Sequence, residues 1–185
     1  FVDGRPVRVA DDSSSLLAVL REQLGIRSVK DGCSPQGQCG CCTVLVDGSP
    51  RVACVTPVRR IAGRSVTTMD GLDGPTVEHW SAAFCATGAA QCGFCSPGIV
   101  LRLVAEAASP VPDPAQALLA HLCRCTGWTP ILDAFRLATA TGADGTPVRI
   151  GAVEDPAGAA LRAELEGHAP QQIGPQVARG RGGFA

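Results

Sequence analysis

The chain has 185 residues, with 16 Lys plus Arg against 17 Asp plus Glu for a formal charge of -1, so no general basic field exists to hold nucleic acid or anionic lipid. Hydrophobic residues make up 45% and charged residues 18%, which describes a folded chain of one large or two small domains. No apolar run approaches the roughly 20 residues that cross a bilayer.

The N-terminal stretch FVDGRPVRVADD lacks a basic segment followed by an apolar one, so no secretory signal is expected and a reducing, cytoplasmic setting is the default. Asp3-Gly4 is a type I′ turn signal between Val2 and the run Arg5 to Val9, which predicts a β-hairpin. From Ser15, a good N-cap, Leu16, Leu17, Leu20 and Leu24 share one helical face until Gly25. Thr43 to Val46, the Asp47-Gly48 turn, Val52 to Val55 and Val66 to Thr68 read as short strands. Residues 1–70 therefore form a small sheet carrying one helix.

The period then changes to that of helices, expected near 76–87, 97–108, 114–122 and 130–140. Ser96-Pro97, Asp113-Pro114 and Thr129-Pro130 are their start signals, the second with a capping-box Gln116. Short loops make neighbouring helices antiparallel, so the loop at Cys92 and Cys95 and the loop at Cys123 and Cys125 fall at one end of the bundle. Residues 143–185 are rich in Gly, Pro and Ala and read as a tail or linker toward a partner subunit, with a weak helical stretch from Pro156 to Leu165. Its Arg179-Gly180-Arg181-Gly182-Gly183 reads as a flexible segment.

Ten cysteines in a reducing compartment are read as metal ligands before disulfides. The first group, Cys33, Cys39, Cys42 and Cys54, has the pattern Cys-x5-Cys-x2-Cys-x11-Cys. The plant-type [2Fe-2S] run is Cys-x4-Cys-x2-Cys with a distant fourth Cys, so one extra residue lies in the first interval. Gly32, Gly37 and Gly40 suit a loop whose backbone passes close to a cluster and donates N–H groups to its sulfurs. The second group, Cys92, Cys95, Cys123 and Cys125, reads Cys-x2-Cys-x27-Cys-x-Cys. The helix N-termini at Pro97 and Pro130 point positive charge at its four thiolates.

GQCGCCTVLVDG, QCGFCSPG and LCRCTGW, in this order and spacing, resemble the signatures of the iron-sulfur subunit of the molybdenum hydroxylases, the family of xanthine dehydrogenase, aldehyde oxidase and aerobic CO dehydrogenase. The resemblance covers residues 1–140. It implies an α+β fold in which a plant-ferredoxin-like β-grasp domain (1–70) precedes a four-helix domain (71–142), each holding one [2Fe-2S] cluster. It also implies that Gln91 and Cys125 lie nearest the pterin of a molybdopterin on a partner chain. Expected partners are a large subunit binding molybdopterin and an FAD-binding medium subunit, with no nucleic acid and no membrane. The Arg179 to Gly183 segment is similar to the junction that leads into a molybdenum-binding polypeptide in fused members of the family.

Other readings of the same cysteines remain open. Structural zinc would use each set of four, although Cys-x-Cys fits zinc ribbons poorly. A Rieske centre is excluded because His79, His121 and His168 form no Cys-x-His pair. Cys41 and Cys85 remain after eight ligands are assigned; Cys85 reads as a small buried hydrophobe, and Cys41 as a packed neighbour of Cys42 or an alternative ligand. Trp80 and Trp128 read as core or interface residues, His121 as a residue at a helix end, and Arg124 as compensating cluster charge or as a solvated side chain. With no GxGxxG fingerprint and no acid-base constellation, the chain is expected to conduct electrons without transforming substrate, as a subunit of an oxidoreductase. The competing expectation is a stand-alone dicluster ferredoxin-type carrier.

Overall fold

The computed structural model of the chain describes residues 1–9, 14–141 and 174–182, with single positions at 161, 164, 165 and 167. Asp3 and Gly4 both adopt positive φ (50° and 75°) and close a bridge between Val2 and Arg5. The expected hairpin stops there. Val2 is instead taken up by a parallel bridge to Val66, while the Asp3 carboxylate accepts hydrogen bonds from the Thr68 amide (2.7 Å) and hydroxyl (2.8 Å).

Ser15 caps α1 (Leu16–Ala18) by accepting the Ala18 amide at 3.2 Å. The predicted helix continues as a π-helical turn over Val19–Gln23 before Gly25 turns at φ 70°. The wider turn still points Leu16, Leu17 and Leu20 into the core, beside Val29, Val44, Val46 and Val66.

Strands β1 (Thr43–Val46), β2 (Ser49–Val52) and β3 (Val66–Thr67) form an antiparallel sheet in the order β2-β1-β3. Asp47 and Gly48, at φ 49° and 77°, make the two-residue turn that pairs Val46 with Ser49. The expected strand from Val52 to Val55 is replaced by a 3-10 turn over Ala53–Val55, which swings Cys54 back toward Cys42. All four residues of β1 are buried. Because successive strand side chains point to opposite faces, Val44 and Val46 enter the N-terminal core, whereas Leu45 enters the helical one. One strand is thus the common wall of both halves.

The helical half contains α2 (Gly74–Thr87), α3 (Ser96–Ala107), α4 (Pro114–Ala117) and α5 (Thr129–Thr139). Asp73 starts α2 by accepting the Thr76 amide at 2.9 Å, and Gly88 ends it in the left-handed conformation. The residue capping α3 is Cys95, one before the expected Ser96, and Trp128 at φ 76° precedes α5. The third helix departs most from expectation, being a single turn over Pro114–Ala117 where the sequence suggests 114–122. The Gln116 capping box does not form either, since the Asp113 amide donates to Glu106 Oε1 at 2.8 Å. Leaving the helix early lets the following residues reach the N-terminal half. The helical core gathers Trp80, Phe84, Ile99, Leu101, Leu103, Ile131 and Phe135, with the Trp80 and Phe135 rings 6.0 Å apart. Each such side chain contributes about 1.5–3 kcal/mol by leaving water.

Residues 174–182 of the tail are packed, whereas Leu161 and Leu165 are exposed. Residues of α6 (Pro175–Ala178) bury Val177 and Ala178 against α2, and Arg179 Nε donates to Ser81 Oγ at 3.3 Å. Arg181 pairs with Asp70 at 3.3 Å, so the expected flexibility does not hold for residues 179–182. Gly180 permits this docking, because a Cβ there would overlap the Pro97 ring. The expected helical stretch from Pro156 to Leu165 lies outside the described residues apart from Leu161, Glu164 and Leu165. Among the described residues no helix is long and apolar enough to cross a membrane.

Candidate metal centres

None of the ten cysteines forms a disulfide. Eight of them meet in four facing pairs. Cys33 faces Cys39, Cys42 faces Cys54, Cys95 faces Cys123, and Cys92 faces Cys125. The first two pairs lie in the N-terminal half and the last two at one end of the helical half. Among the described residues no three ligating side chains gather round a single ion position. Four thiols in two facing pairs would suit a [2Fe-2S] group, which four Cys thiolates hold.

The loop before β1 holds the first set. Gly32 passes so close that a Cβ there would sit 2.9 Å from Cys39 Sγ and 3.1 Å from Cys41 Sγ. Gly37 and Gly40 turn the loop at φ 68° and 66°. Backbone amides then reach the sulfurs: Gln36 N–H donates to Cys33 Sγ and Cys54 N–H to Cys42 Sγ, both at 3.4 Å. Amide donors stabilise the charged form, and the Gln38 N–H leads those that draw the Cys33 thiol down to about 6. Burial pushes Cys39 and Cys41 up, and Cys42 up to about 12.

Two loops distant in sequence supply the second set. Cys92 and Cys95 lie between α2 and α3, where Gly93 turns at φ 77° and admits the Val177 backbone. Cys123 and Cys125 precede α5, with Cys123 Sγ 3.1 Å from the Thr126 hydroxyl. The facing Cys95 thiol, aided by Thr126, draws Cys123 down to about 5, while Cys95 moves up because of that same neighbour and its burial. Cys125 is raised chiefly by the Cys92 thiol. In Cys33/Cys39 and Cys95/Cys123, one thiol ionises readily and its partner resists. Metal binding removes the remaining protons, so affinity for iron should rise with pH.

The residues therefore fit two [2Fe-2S] groups: thiols in pairs, amides directed at sulfur, and glycines where the backbone approaches most closely. Gln91 is exposed immediately before Cys92, and Cys125 and Arg124 are exposed as well.

Three interior residues take on contacts that their sequence positions do not announce, and Lys30 among them drew no reading at all. Cys41 is 5% exposed and packs beside Cys39, and its field reaches Cys95 across the boundary between the halves. Lys30 is buried where its amide meets the Cys41 carbonyl at 3.3 Å; burial, then Arg21, lowers its pKa. His121 is buried against Gly40, with Nε2 3.2 Å from Thr43 Oγ1. Burial, with Arg102 nearby, holds its pKa near 4, which keeps the ring neutral. Lys30 carried no local signal and His121 only its adjacency to Cys123, since its partner Thr43 lies on β1.

Residues 1–59 match the family described as 2Fe-2S iron-sulfur cluster binding domain, and residues 68–136 match the [2Fe-2S] binding domain. The chain is 40% identical over 148 residues to the aldehyde oxidoreductase of Megalodesulfovibrio gigas, covering 75% of this chain but 16% of that protein. It thus spans about a sixth of that relative. Against the nicotinate dehydrogenase small FeS subunit of Eubacterium barkeri it is 38% identical over 138 residues, covering 70% of this chain and 85% of that one. The crystal structure of quinoline 2-oxidoreductase from Pseudomonas putida 86 superposes with a TM-score of 0.64 at 33% identity, covering 72% of this chain and 86% of that one.

Proposed function

Because the chain belongs to the iron-sulfur subunits and domains of the molybdenum hydroxylases, we propose that it relays single electrons between a molybdopterin-binding partner and a flavin-bearing subunit or other acceptor. The carrying observation is the meeting of eight thiols in four pairs, two in each half. The two halves are read as a plant-ferredoxin-like β-grasp and a four-helix unit. Cys33, Cys39, Cys42 and Cys54 would hold one [2Fe-2S] group, and Cys92, Cys95, Cys123 and Cys125 the other. Each group when bound supplies one-electron redox chemistry, so two match the pair of electrons released by a substrate oxidised at molybdenum.

The chain's own residues set the ends of this relay. Gln91 and Cys125, both exposed, are assigned to the face that meets the pterin-bearing partner. Leu119 and Leu122 are 75% and 59% exposed and border an apolar hollow with Trp128 and Leu132. Exposed apolar surface beside a redox centre favours a subunit covered by a partner over a freely diffusing carrier. The cysteines stay reduced and available for iron in a compartment such as the cytoplasm.

The test is metal and sulfide analysis of the natural protein with all its partner chains, followed by paramagnetic resonance after reduction. Four irons per chain and two distinct signals are expected; far fewer irons, or a silent reduced sample, overturn the reading. Cys125→Ser should stop substrate-dependent reduction of the other centres while molybdenum remains bound.

A further inference from the structure

His121 belongs to neither sulfur set, yet it touches the surroundings of both. It stands two residues before Cys123, and its ring covers Gly40, between Cys39 and Cys41. A Cβ at Gly40 would overlap ring atoms Cγ and Cδ2 and come within 2.8 Å of the Ala120 carbonyl, so only glycine admits the ring there.

Hydrogen bonding defines which way the ring acts. Thr43 donates its one hydroxyl proton to the Gly40 carbonyl at 2.7 Å, so at 3.2 Å it meets His121 Nε2 as an acceptor. The ring proton therefore sits on Nε2. Nδ1 is left as a bare acceptor, buried and without a partner. What the buried ring does hold is Thr43, through Nε2. Thr43 follows Cys42 directly, so this contact joins the immediate surroundings of one ligand in each half. The next residue continues the seam, with Leu122 N–H donating to the Cys39 carbonyl at 2.9 Å. Gly98, at the start of α3, closes it from the other side, its missing Cβ leaving room for the Gly40–Cys41 backbone.

We propose that His121 is a positioning residue that, by locking onto Thr43 and Gly40, fixes the separation of the two sulfur sets and hence the electronic coupling of the centres they hold. The inference rests on the two-centre reading above. In the step it governs, one electron leaves a reduced centre and reduces an oxidised one, with no bond made or broken. Transfer of that kind weakens exponentially with the gap, and magnetic coupling between the two reduced centres falls with the cube of their separation.

The experiment uses the natural protein with its full complement of chains, reduced with dithionite. Iron content and each centre's own resonance serve as controls, while magnetic splitting and the rate of electron equilibration after flash reduction are the readouts. His121→Ala and Thr43→Val should each narrow the splitting and slow equilibration several-fold at wild-type iron content. The double variant should be no worse than either single, because both remove the same contact. His121→Gln, which carries an N–H donor where Nε2 stood, should restore the splitting. Wild-type splitting in an iron-replete Thr43→Val protein overturns the proposal, including in the event that His121→Ala fails to retain iron. Failure of the two-centre reading is distinguishable, since it would appear in the unmutated protein as missing iron or missing signals.

Discussion

The two sulfur sets are built in opposite ways. The N-terminal set is local: three of its thiols lie on one glycine-rich loop, and the fourth returns through the two-residue turn between β1 and β2. The helical set joins two loops that touch only because α2, α3 and α5 pack around Trp80, Ile131 and Phe135. A set made within one loop depends on backbone conformation, whereas a set made between helices depends on the core behind it.

The largest expected effect falls on both sets together. An isolated domain of this size buries only about 60% of the surface its unfolded chain exposes, so metal-thiolate bonding is expected to add to the stability that the shared β1 wall gives each half. Removing iron with a chelator should unfold both halves, with proteolysis starting in residues 31–54 and 88–128. Unchanged circular dichroism and protease resistance in the apoprotein would contradict this. Next in size, Phe135→Ala should cost about 3–5 kcal/mol and empty the helical set first, leaving the N-terminal resonance in place; thermal melting and iron assay together check it. Gly32→Ala should do the reverse, because its Cβ would press on Cys39 Sγ. Iron should leave the N-terminal set while the helices keep their circular dichroism signal.

The smallest effect belongs to Asp47, which accepts Arg64 Nε at 2.6 Å and the Ser65 amide at 2.9 Å and ties the end of β1 to the segment before β3. These contacts, the Arg64 hydrogen bond first, lower the Asp47 pKa. Its folded value thus lies below the unfolded value of about 4, so the unfolded state binds more protons as acid is added. The stabilisation is present above the unfolded pKa and is lost as pH falls through the folded one. Asp47→Asn should therefore lower Tm slightly at neutral pH, and the difference from wild type should vanish in stronger acid.

Legibility in the sequence followed the same division. Turn chemistry at Asp3-Gly4 and Asp47-Gly48 was readable because positive φ is a local demand, and α2, α3 and α5 were readable from apolar period and proline starts. The hairpin beyond Arg5 was misread because Val2 had a distant competitor in Val66, and α4 was overlong because nothing local says that the chain must turn toward Gly40. Packing of residues 174–182 was equally hidden, since Val177 and Ala178 are apolar enough to dock but short enough to look like linker.

Residue type and spacing alone put the cysteines in two groups, marked the loops that bear them, and placed glycine at the Gly37 and Gly40 turns, because these follow from thiolate chemistry and from φ. Tertiary structure decided which thiol faces which, that β1 serves both cores, and that His121, Thr43 and Gly40 form the seam between the halves. Such contacts join residues far apart in the chain, and their free energy comes from packing and desolvation that no short window of sequence expresses.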